Sequence, residues 1–271
     1  MRITVGLIAF LMLCVVGASK PAVAQQTAVD LELVLAVDVS GSVDDEEAIL
    51  QRRGYVDAFR DPMIIDAIKR GPHGAIAVTY LEWAGEPYQI PIVGWTRISN
   101  AEETAAFADK LATAPIAVHL WTSISSIITV GTQIIRQNQY RGTRRVIDVS
   151  GDGANNDGQY VNVARDYAVA QGITINGLPI INDRPSRYGT QQIADLDYYY
   201  TDCVIGGPGA FIIVANGFQD YARAVRQKLI LEIAGLSPSR RDEARVLPAQ
   251  LNARPSCFAG ENRRQDYDDD Y

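Results

Sequence analysis

Short apolar runs alternate with amphipathic segments along most of the chain. Residues 31–37 are almost continuously apolar, which is typical of a parallel strand that is covered on both faces. Runs of the same kind predict further strands over residues 75–81, 89–93, 146–149, 173–180 and 211–214. The pattern therefore predicts a sheet whose strands follow one another at intervals wide enough for helices.

Helical patterns occupy the stretches between these strands. The acidic run Asp44-Asp45-Glu46-Glu47 predicts the start of one helix, because acidic side chains are favoured at the positive end of the helix dipole. Ser99 and Glu102 have the spacing of a capping box, which predicts a second helix that ends before Pro115. A third helix is predicted from one apolar face, formed by Ile124, Ile127, Ile128, Gly131 and Ile135. Further helices are predicted over residues 160–171, 190–200 and 218–233, with Gly235 closing the last.

This alternation predicts the α/β class, with a doubly wound, mostly parallel, Rossmann-like central sheet and helices on both faces. No linker interrupts the pattern, so we expect a single domain over residues 28–235. Residues 236–271 form a C-terminal extension rich in Pro, Arg and Ser. Its polar end, residues 262–271, is expected to be disordered.

The first 24 residues have the composition of a signal peptide. Arg2 supplies a positive start, residues 3–18 are apolar, and Ala22-Val23-Ala24 is a small-x-small cleavage site. The apolar run is shorter than the roughly 20 residues that span a bilayer, so no stable membrane insertion is expected after cleavage. We therefore expect a periplasmic or secreted protein.

Charge and cysteine content narrow the candidate chemistry. The chain has 25 basic and 32 acidic residues, and removal of the leader takes away Arg2 and Lys20, leaving a net charge of −9. This excess of acids argues against nucleic acid as a partner. Beyond Cys14 in the leader, two cysteines remain, Cys203 and Cys257. An even number in an oxidising compartment favours a disulfide, and two unpaired buried thiols are the alternative.

Polar side chains follow two of the predicted strands and precede one helix. Asp38, Ser40 and Ser42 come after the first strand, Thr122 lies just before the isoleucine-rich helix, and Asp152 follows the strand at 146–149. Because ligands bind at the carboxyl ends of strands in such sheets, we expect these residues to converge. Carboxylate and hydroxyl oxygens suit a hard cation, Mg²⁺ or alternatively Mn²⁺ or Ca²⁺.

These residues and the order of elements resemble the von Willebrand factor type A domain with its metal-ion-dependent adhesion site, and in particular an uncharacterised group of exported bacterial proteins. The resemblance implies that Ser40, Ser42 and Thr122 bind the metal directly, and that Asp38 and Asp152 bind it directly or through water. It also implies a protein partner that offers a carboxylate to the metal, and no enzymatic activity. Gly151 before Asp152 departs from the family's commoner Thr-Asp-Gly.

Three alternatives remain at this point. The motif from Asp38 is similar to that of haloacid-dehalogenase phosphatases, with Asp38 as nucleophile and Asp152 holding Mg²⁺, but Ser40 stands where a general acid is needed. Ser42 could instead be only a helix cap. The domain could also be purely structural. His119 could contact a ligand at the rim of the site or be structural, and Asp148 could support the site or face a helix end.

Overall fold

The computed structural model describes residues 26–182, 184–185, 191–238 and 254–269. The predicted signal peptide, residues 1–24, lies outside the described residues, and so do residues 239–253 of the predicted extension. Among the described residues, no helix combines the length and the apolar character needed to cross a membrane.

The described residues contain a six-stranded sheet in the order β3-β2-β1-β4-β5-β6. Its strands are β1 (Thr27–Asp38), β2 (Ile76–Trp83), β3 (Gln89–Ile98), β4 (Tyr140–Gly151), β5 (Thr174–Ile181) and β6 (Ala215–Asn216). All neighbouring pairs are parallel except β2 with β3, which form an antiparallel edge. The predicted mostly parallel α/β sheet is confirmed.

Helices cover both faces of this sheet. They are α1 (Asp45–Phe59), α2 (Pro62–Lys69), α3 (Ala101–Thr113), α4 (Ile124–Gln137), α5 (Val161–Ala170), α6 (Leu196–Tyr199), α7 (Tyr221–Ala234) and α8 (Ala259–Asp269). A π-helical turn, Tyr200–Val204, continues α6. The sequence predicted α1, α3, α4, α5 and α7 but not the short helix α2.

The central strand β1 explains why its sequence is apolar on both sides. Leu33 and Leu35 belong to the core that β1 shares with α1, α3 and α7. Val34 and Ala36 belong to the opposite core, which includes residues of α4 and α5. Successive residues of a strand point to opposite faces of the sheet. Because both faces of β1 are covered, its sequence does not alternate between apolar and polar residues.

Four local predictions need correction. Helix α3 is capped by Asn100, which accepts a hydrogen bond from Glu103 N, so the capping box predicted at Ser99 and Glu102 is displaced by one residue. The last strand is Ala215–Asn216 and not residues 211–214. In the region predicted helical over 190–200, α6 begins only at Leu196, and residue 190 is outside the described residues. Residues 262–269, expected to be disordered, belong to α8.

Asp44 caps the first helix of the domain. Its side chain accepts from Glu47 N at 2.8 Å, and the Glu47 carboxylate accepts from Asp44 N at 3.0 Å. This reciprocal pair satisfies two backbone amides at the start of the helix, as a capping box does. The interpretation of Ser42 as the cap of this helix is therefore wrong, and its hydroxyl is available for another role.

The predicted disulfide is present. Cys203 and Cys257 are bonded, with their Cα atoms 5.4 Å apart. The bond joins the π-helical turn behind α6 to the segment that leads into α8, and so ties the C-terminal extension to the body of the domain.

Candidate metal site

The sheet reverses its winding direction between β1 and β4. From β1 the chain runs outward to β2 and β3, and from β4 it runs outward the other way to β5 and β6. At such a switch point the loops leaving the two strands part to opposite faces and leave a crevice. Asp38 is the last residue of β1 and Gly151 the last of β4, so the predicted site residues flank this crevice.

The loop after β1 directs three polar groups into the crevice. Asp38 and Ser40 are fully buried, and the Ser40 amide donates to Asp38 Oδ1 at 2.7 Å. The hydroxyls of Ser40 and Ser42 are 3.0 Å apart. From α1, Gln51 Nε2 donates to the Asp38 carbonyl at 3.0 Å, which fixes the end of the strand. The loop is therefore held by its own backbone and by the first helix.

Thr122 and Asp152 complete the cluster. Ser42 Oγ donates to Asp152 Oδ1 at 2.5 Å, and Thr122 Oγ1 donates to Ser40 Oγ at 3.3 Å. The structure thus brings all five predicted residues together in one hydrogen-bonded cluster. Ser42 is only half-buried, so the cluster opens to solvent on its side.

The Thr122 loop depends on a residue whose role the sequence did not reveal. Thr122 N donates to Asn156 Oδ1 at 2.8 Å, and Asn156 N donates to the Thr122 carbonyl, also at 2.8 Å. Trp121 just before it has a φ of 67°, a left-handed conformation that is uncommon for a bulky residue. Asparagines after Gly-Asp-Gly are explained equally well by turn formation, so no local signal distinguished Asn156.

Burial raises the pKa of both carboxylates of the cluster. The pKa of Asp38 is well above its ordinary value, because burial desolvates the charge and because Asp152 repels it. Burial also raises the pKa of Asp152 to about 6, against the opposing hydrogen bond from Ser42. Ionisation of the two carboxylates therefore costs free energy in the folded protein, and a bound cation would offset that cost.

The donor set fits a hard divalent cation. Asp38 Oδ2 is buried and has no hydrogen-bond partner among the described residues, and the remaining oxygens are hydroxyls and the Asp152 carboxylate. Oxygen ligands of this kind are those that Mg²⁺ and Ca²⁺ prefer. In the part of the chain that the structure describes, no group of three or more His, Cys, Asp or Glu side chains is placed to share a metal. An ion in this crevice would therefore be bound by hydroxyl oxygens as well as carboxylate oxygens.

Gly151 leaves the space beside Asp38 open. A Cβ atom at this position would lie 2.7 Å from Asp38 Oδ2 and 2.9 Å from the hydroxyl of Tyr200, closer than such atoms approach. Tyr200 is fully buried, and its hydroxyl has no hydrogen-bond partner among the described residues. The glycine that departs from the family's commoner threonine thus faces a tyrosine, which sequence reasoning did not place at the site.

Gly151→Ala is expected to weaken metal binding, since the added methyl group displaces Asp38 Oδ2 or the Tyr200 hydroxyl. We expect the dissociation constant for Mn²⁺ to rise about 10-fold or more, and overpacking to cost about 1–3 kcal/mol of stability. Isothermal titration and thermal unfolding measure the two effects. Gly153→Ala is the matched control, because its Cβ would lie 3.6 Å from Thr122, an ordinary contact. Equal affinities of the two variants would contradict this prediction.

Two further candidates lie away from the cluster. His119 stacks on Tyr88, with ring centroids 3.5 Å apart, and its amide donates to the Val39 carbonyl. Asp148 is bound to Lys228 in the core between β4 and α7, with Nζ and Oδ1 2.5 Å apart. The first supports the loop before Thr122, and the second belongs to the structural core.

Comparison with solved structures identifies the fold. The pilus adhesin SpaC from Lactobacillus rhamnosus GG, in its open conformation, matches with a TM-score of 0.53 and 14% identity, over 78% of this chain and 31% of its own. Proximal thread matrix protein 1 from the mussel byssus, with a zinc-occupied MIDAS motif, matches with a TM-score of 0.50 and 13% identity, over 77% of this chain and 47% of its own. The chain thus spans about a third and about half of these two proteins.

With the sheet order and the crevice, these likenesses show a von Willebrand A-like fold, as the sequence resemblance predicted. The chain belongs to the family described as "Protein of unknown function (DUF1194)", which it matches over residues 28–237. No curated protein is significantly similar to it in sequence.

Proposed function

We propose that this protein is an exported domain that binds a divalent cation, Mg²⁺ or alternatively Mn²⁺ or Ca²⁺, and through it a protein partner. The observation that supports this most is a hydrogen-bonded cluster of five oxygen-bearing side chains in which the buried Oδ2 of Asp38 has no partner among the described residues. Ser40, Ser42 and Thr122 would hold the cation through hydroxyls, and Asp38 and Asp152 directly or through water.

The composition of this ligand set suggests how a partner would be recognised. Three of the five side chains are neutral, so the two aspartates balance no more than the charge of the ion itself. A cation so held is a Lewis acid that favours a further anionic oxygen. The half-buried Ser42 marks the side on which the cluster opens, and a carboxylate from a partner protein fits that position.

The similar solved structures are compatible with this proposed function. The mussel protein carries a zinc-occupied MIDAS motif, and SpaC is a pilus adhesin. At 13% and 14% identity, with only part of each relative matched, metal binding and adhesion remain proposals for this chain. Export is supported by the leader sequence and by the disulfide, since such bonds persist in oxidising compartments.

A phosphatase function finds less support at the same site. A nucleophilic Asp38 would have to meet a phosphoryl group, yet its side chain is fully buried and its Oδ1 accepts from the Ser40 amide. Ser40 provides no general acid. Mg²⁺-dependent turnover of an aryl phosphate that is lost in Asp38→Asn would reverse this preference.

The test of the proposed function has two parts. The oxidised mature chain should bind Mg²⁺ or Mn²⁺ in isothermal titration, and the immobilised chain should retain a protein from the exported fraction in the presence of the metal and release it with a chelator. Retention that a chelator does not change would contradict metal-dependent recognition. A wild type that binds no divalent cation would contradict the proposal as a whole and would favour a purely structural domain.

A further inference from the structure

The C-terminal helix α8 returns to the rim of the candidate metal site. At its start, the backbone of Gly260 approaches the loop after β4 so closely that a Cβ atom would lie 2.1 Å from the Asn155 carbonyl oxygen. The preceding residue pair Cys257 and Phe258 anchors it, through the disulfide and through an edge-to-face contact with Tyr160, whose ring centroid is 4.8 Å away.

Two side chains of α8 hold this loop. Glu261 Oε1 accepts from Asn155 Nδ2 at 2.8 Å. Arg264 Nη1 donates to the Asn156 carbonyl at 3.0 Å and to Asp157 Oδ1 at 2.6 Å. A charge-assisted bond to a carboxylate that is itself half-buried is stronger than one in open solvent. The helix therefore contacts three consecutive residues of the loop.

Arg264 also reaches the strained residue before Thr122. Its guanidinium lies 4.1 Å from the centroid of the Trp121 ring, within the range of a cation–π interaction. Trp121 is 40% exposed and has a positive φ, so its backbone conformation needs support from its surroundings. One arginine thus contacts both the Asn156–Asp157 turn and the residue that leads into the metal-site loop.

The loop that α8 holds is the one that fixes Thr122. Asn156 forms two hydrogen bonds with the Thr122 backbone, one through its side-chain Oδ1 and one through its own amide. Asn155 Oδ1 accepts from Ser125 N at 2.9 Å, and the Asp157 carbonyl accepts from Ser123 Oγ at 2.8 Å. Each of the three loop residues that α8 contacts is therefore hydrogen-bonded to the segment 122–125, which leads into α4.

The position of α8 depends on its covalent tether. The helix has 11 residues and an almost entirely polar sequence, AGENRRQDYDD. A helix this short is marginal by itself in water, and one without an apolar face gains little from packing. The disulfide to Cys203, a residue that is fully buried in the core, keeps it beside the loop.

We infer that α8, tethered by the Cys203–Cys257 bond, is a positioning element that holds Thr122 in its metal-binding place through Arg264 and Glu261. This inference rests on the proposed function, and it adds a dependence of the metal affinity on the redox state of the cysteine pair. Loss of a group that orients a metal ligand costs about 10- to 100-fold in affinity. The same loss here would follow from removal of either Arg264 or the disulfide.

The test measures Mn²⁺ affinity by isothermal titration together with amide hydrogen exchange of the peptide around Thr122 and Asn156. Arg264→Ala and Cys257→Ser are expected to bind Mn²⁺ about 10-fold or more weakly than the oxidised wild type. Both should exchange the amides of Thr122 and Asn156 faster, with or without metal. Arg264→Lys should recover part of the affinity, since it keeps the charge without the planar guanidinium.

Arg263→Ala is the matched control on the same helix. Arg263 is exposed and donates to the Gln191 carbonyl rather than to the loop residues 155–157, so affinity and exchange should stay at the wild-type values. Wild-type affinity in both Arg264→Ala and Cys257→Ser would overturn the inference even if exchange were faster. If the wild type itself binds no Mn²⁺, the proposed function fails, and unchanged exchange in the variants would then overturn the positioning role separately.

Discussion

Asp38→Ala is expected to abolish Mg²⁺ and Mn²⁺ binding while the domain still folds. The substitution removes a carboxylate that is fully buried at the base of the cluster and whose Oδ2 has no partner among the described residues. No other described carboxylate besides Asp152 belongs to the cluster, so the remaining groups are three hydroxyls and a single charge. Isothermal titration should show no saturable heat for the variant.

In the absence of metal, replacement of the Asp38 carboxylate should not lower the stability of the fold. The pKa of Asp38 in the folded protein is raised by burial and by the Asp152 charge, so the native state binds its proton more tightly than the unfolded chain. Above the unfolded pKa, ionised Asp38 therefore destabilises the fold. We expect the isosteric Asp38→Asn variant, without metal at neutral pH, to be at least as stable as the wild type.

Thermal unfolding with and without metal distinguishes these effects. A cation that binds only the native state stabilises it by about 2.7 kcal/mol at a concentration 100 times its dissociation constant, so the wild type should gain in Tm. Asp38→Ala and Asp38→Asn should gain nothing. Glu46→Gln removes an exposed carboxylate of the neighbouring helix α1 and should keep the wild-type gain. An equal metal-dependent gain in Asp38→Ala would exclude this residue from the site.

Lys228→Met is expected to destabilise the fold by about 3–5 kcal/mol, because it leaves buried carboxylates without a counter-charge. Lys228 is fully buried, and its Nζ lies 2.5 Å from Asp148 Oδ1 and 2.5 Å from Glu232 Oε1. Asn176 donates to the same Glu232 oxygen at 2.8 Å. One cation thus balances two acids between β4 and α7, and urea unfolding measures the cost of its removal.

Asp148→Asn provides the control for this prediction. Burial and repulsion by Glu232 raise the pKa of Asp148 to about 7, against the attraction of Lys228. The folded state therefore holds a proton that the unfolded chain releases near pH 4, and stability contributed by this group falls as the pH rises from about 4 to 7. Asp148→Asn should lose this pH dependence and cost far less than Lys228→Met, since Lys228 and Glu232 remain paired. A loss in Asp148→Asn as large as that in Lys228→Met would contradict this account.

Some of the site could be read from local sequence because each part follows a strand or begins a helix. Asp38 and Asp152 stand directly after apolar runs, and the carboxyl ends of neighbouring parallel strands meet at one edge. Thr122 precedes a helix whose apolar face is visible in the spacing of its isoleucines. Where the pattern was weaker, prediction failed: α3 begins one residue later than the capping box indicated, and α2 was missed.

The supports of the site could not be read in this way. Only its two hydrogen bonds to Thr122 distinguish Asn156 from an ordinary turn residue, because its sequence context indicates a turn and a metal-site loop equally well. The helix predicted over residues 190–200 gave no sign that Tyr200 lies fully buried near Asp38. Lys228 had no signal at all, since a lysine in an amphipathic helix is ordinarily solvated.

The sequence by itself determined the α/β pattern, the residues that form the cluster and the cysteines that pair, because these follow from periodicity, strand ends and cysteine number. Only the tertiary structure decided that the C-terminal extension forms a helix against the Thr122 loop and that Arg264 reaches Asp157, 107 residues earlier. Such contacts join distant segments through single side chains. A single side chain produces no repeating pattern in the sequence, so only the packing of the folded chain determines which residue it contacts.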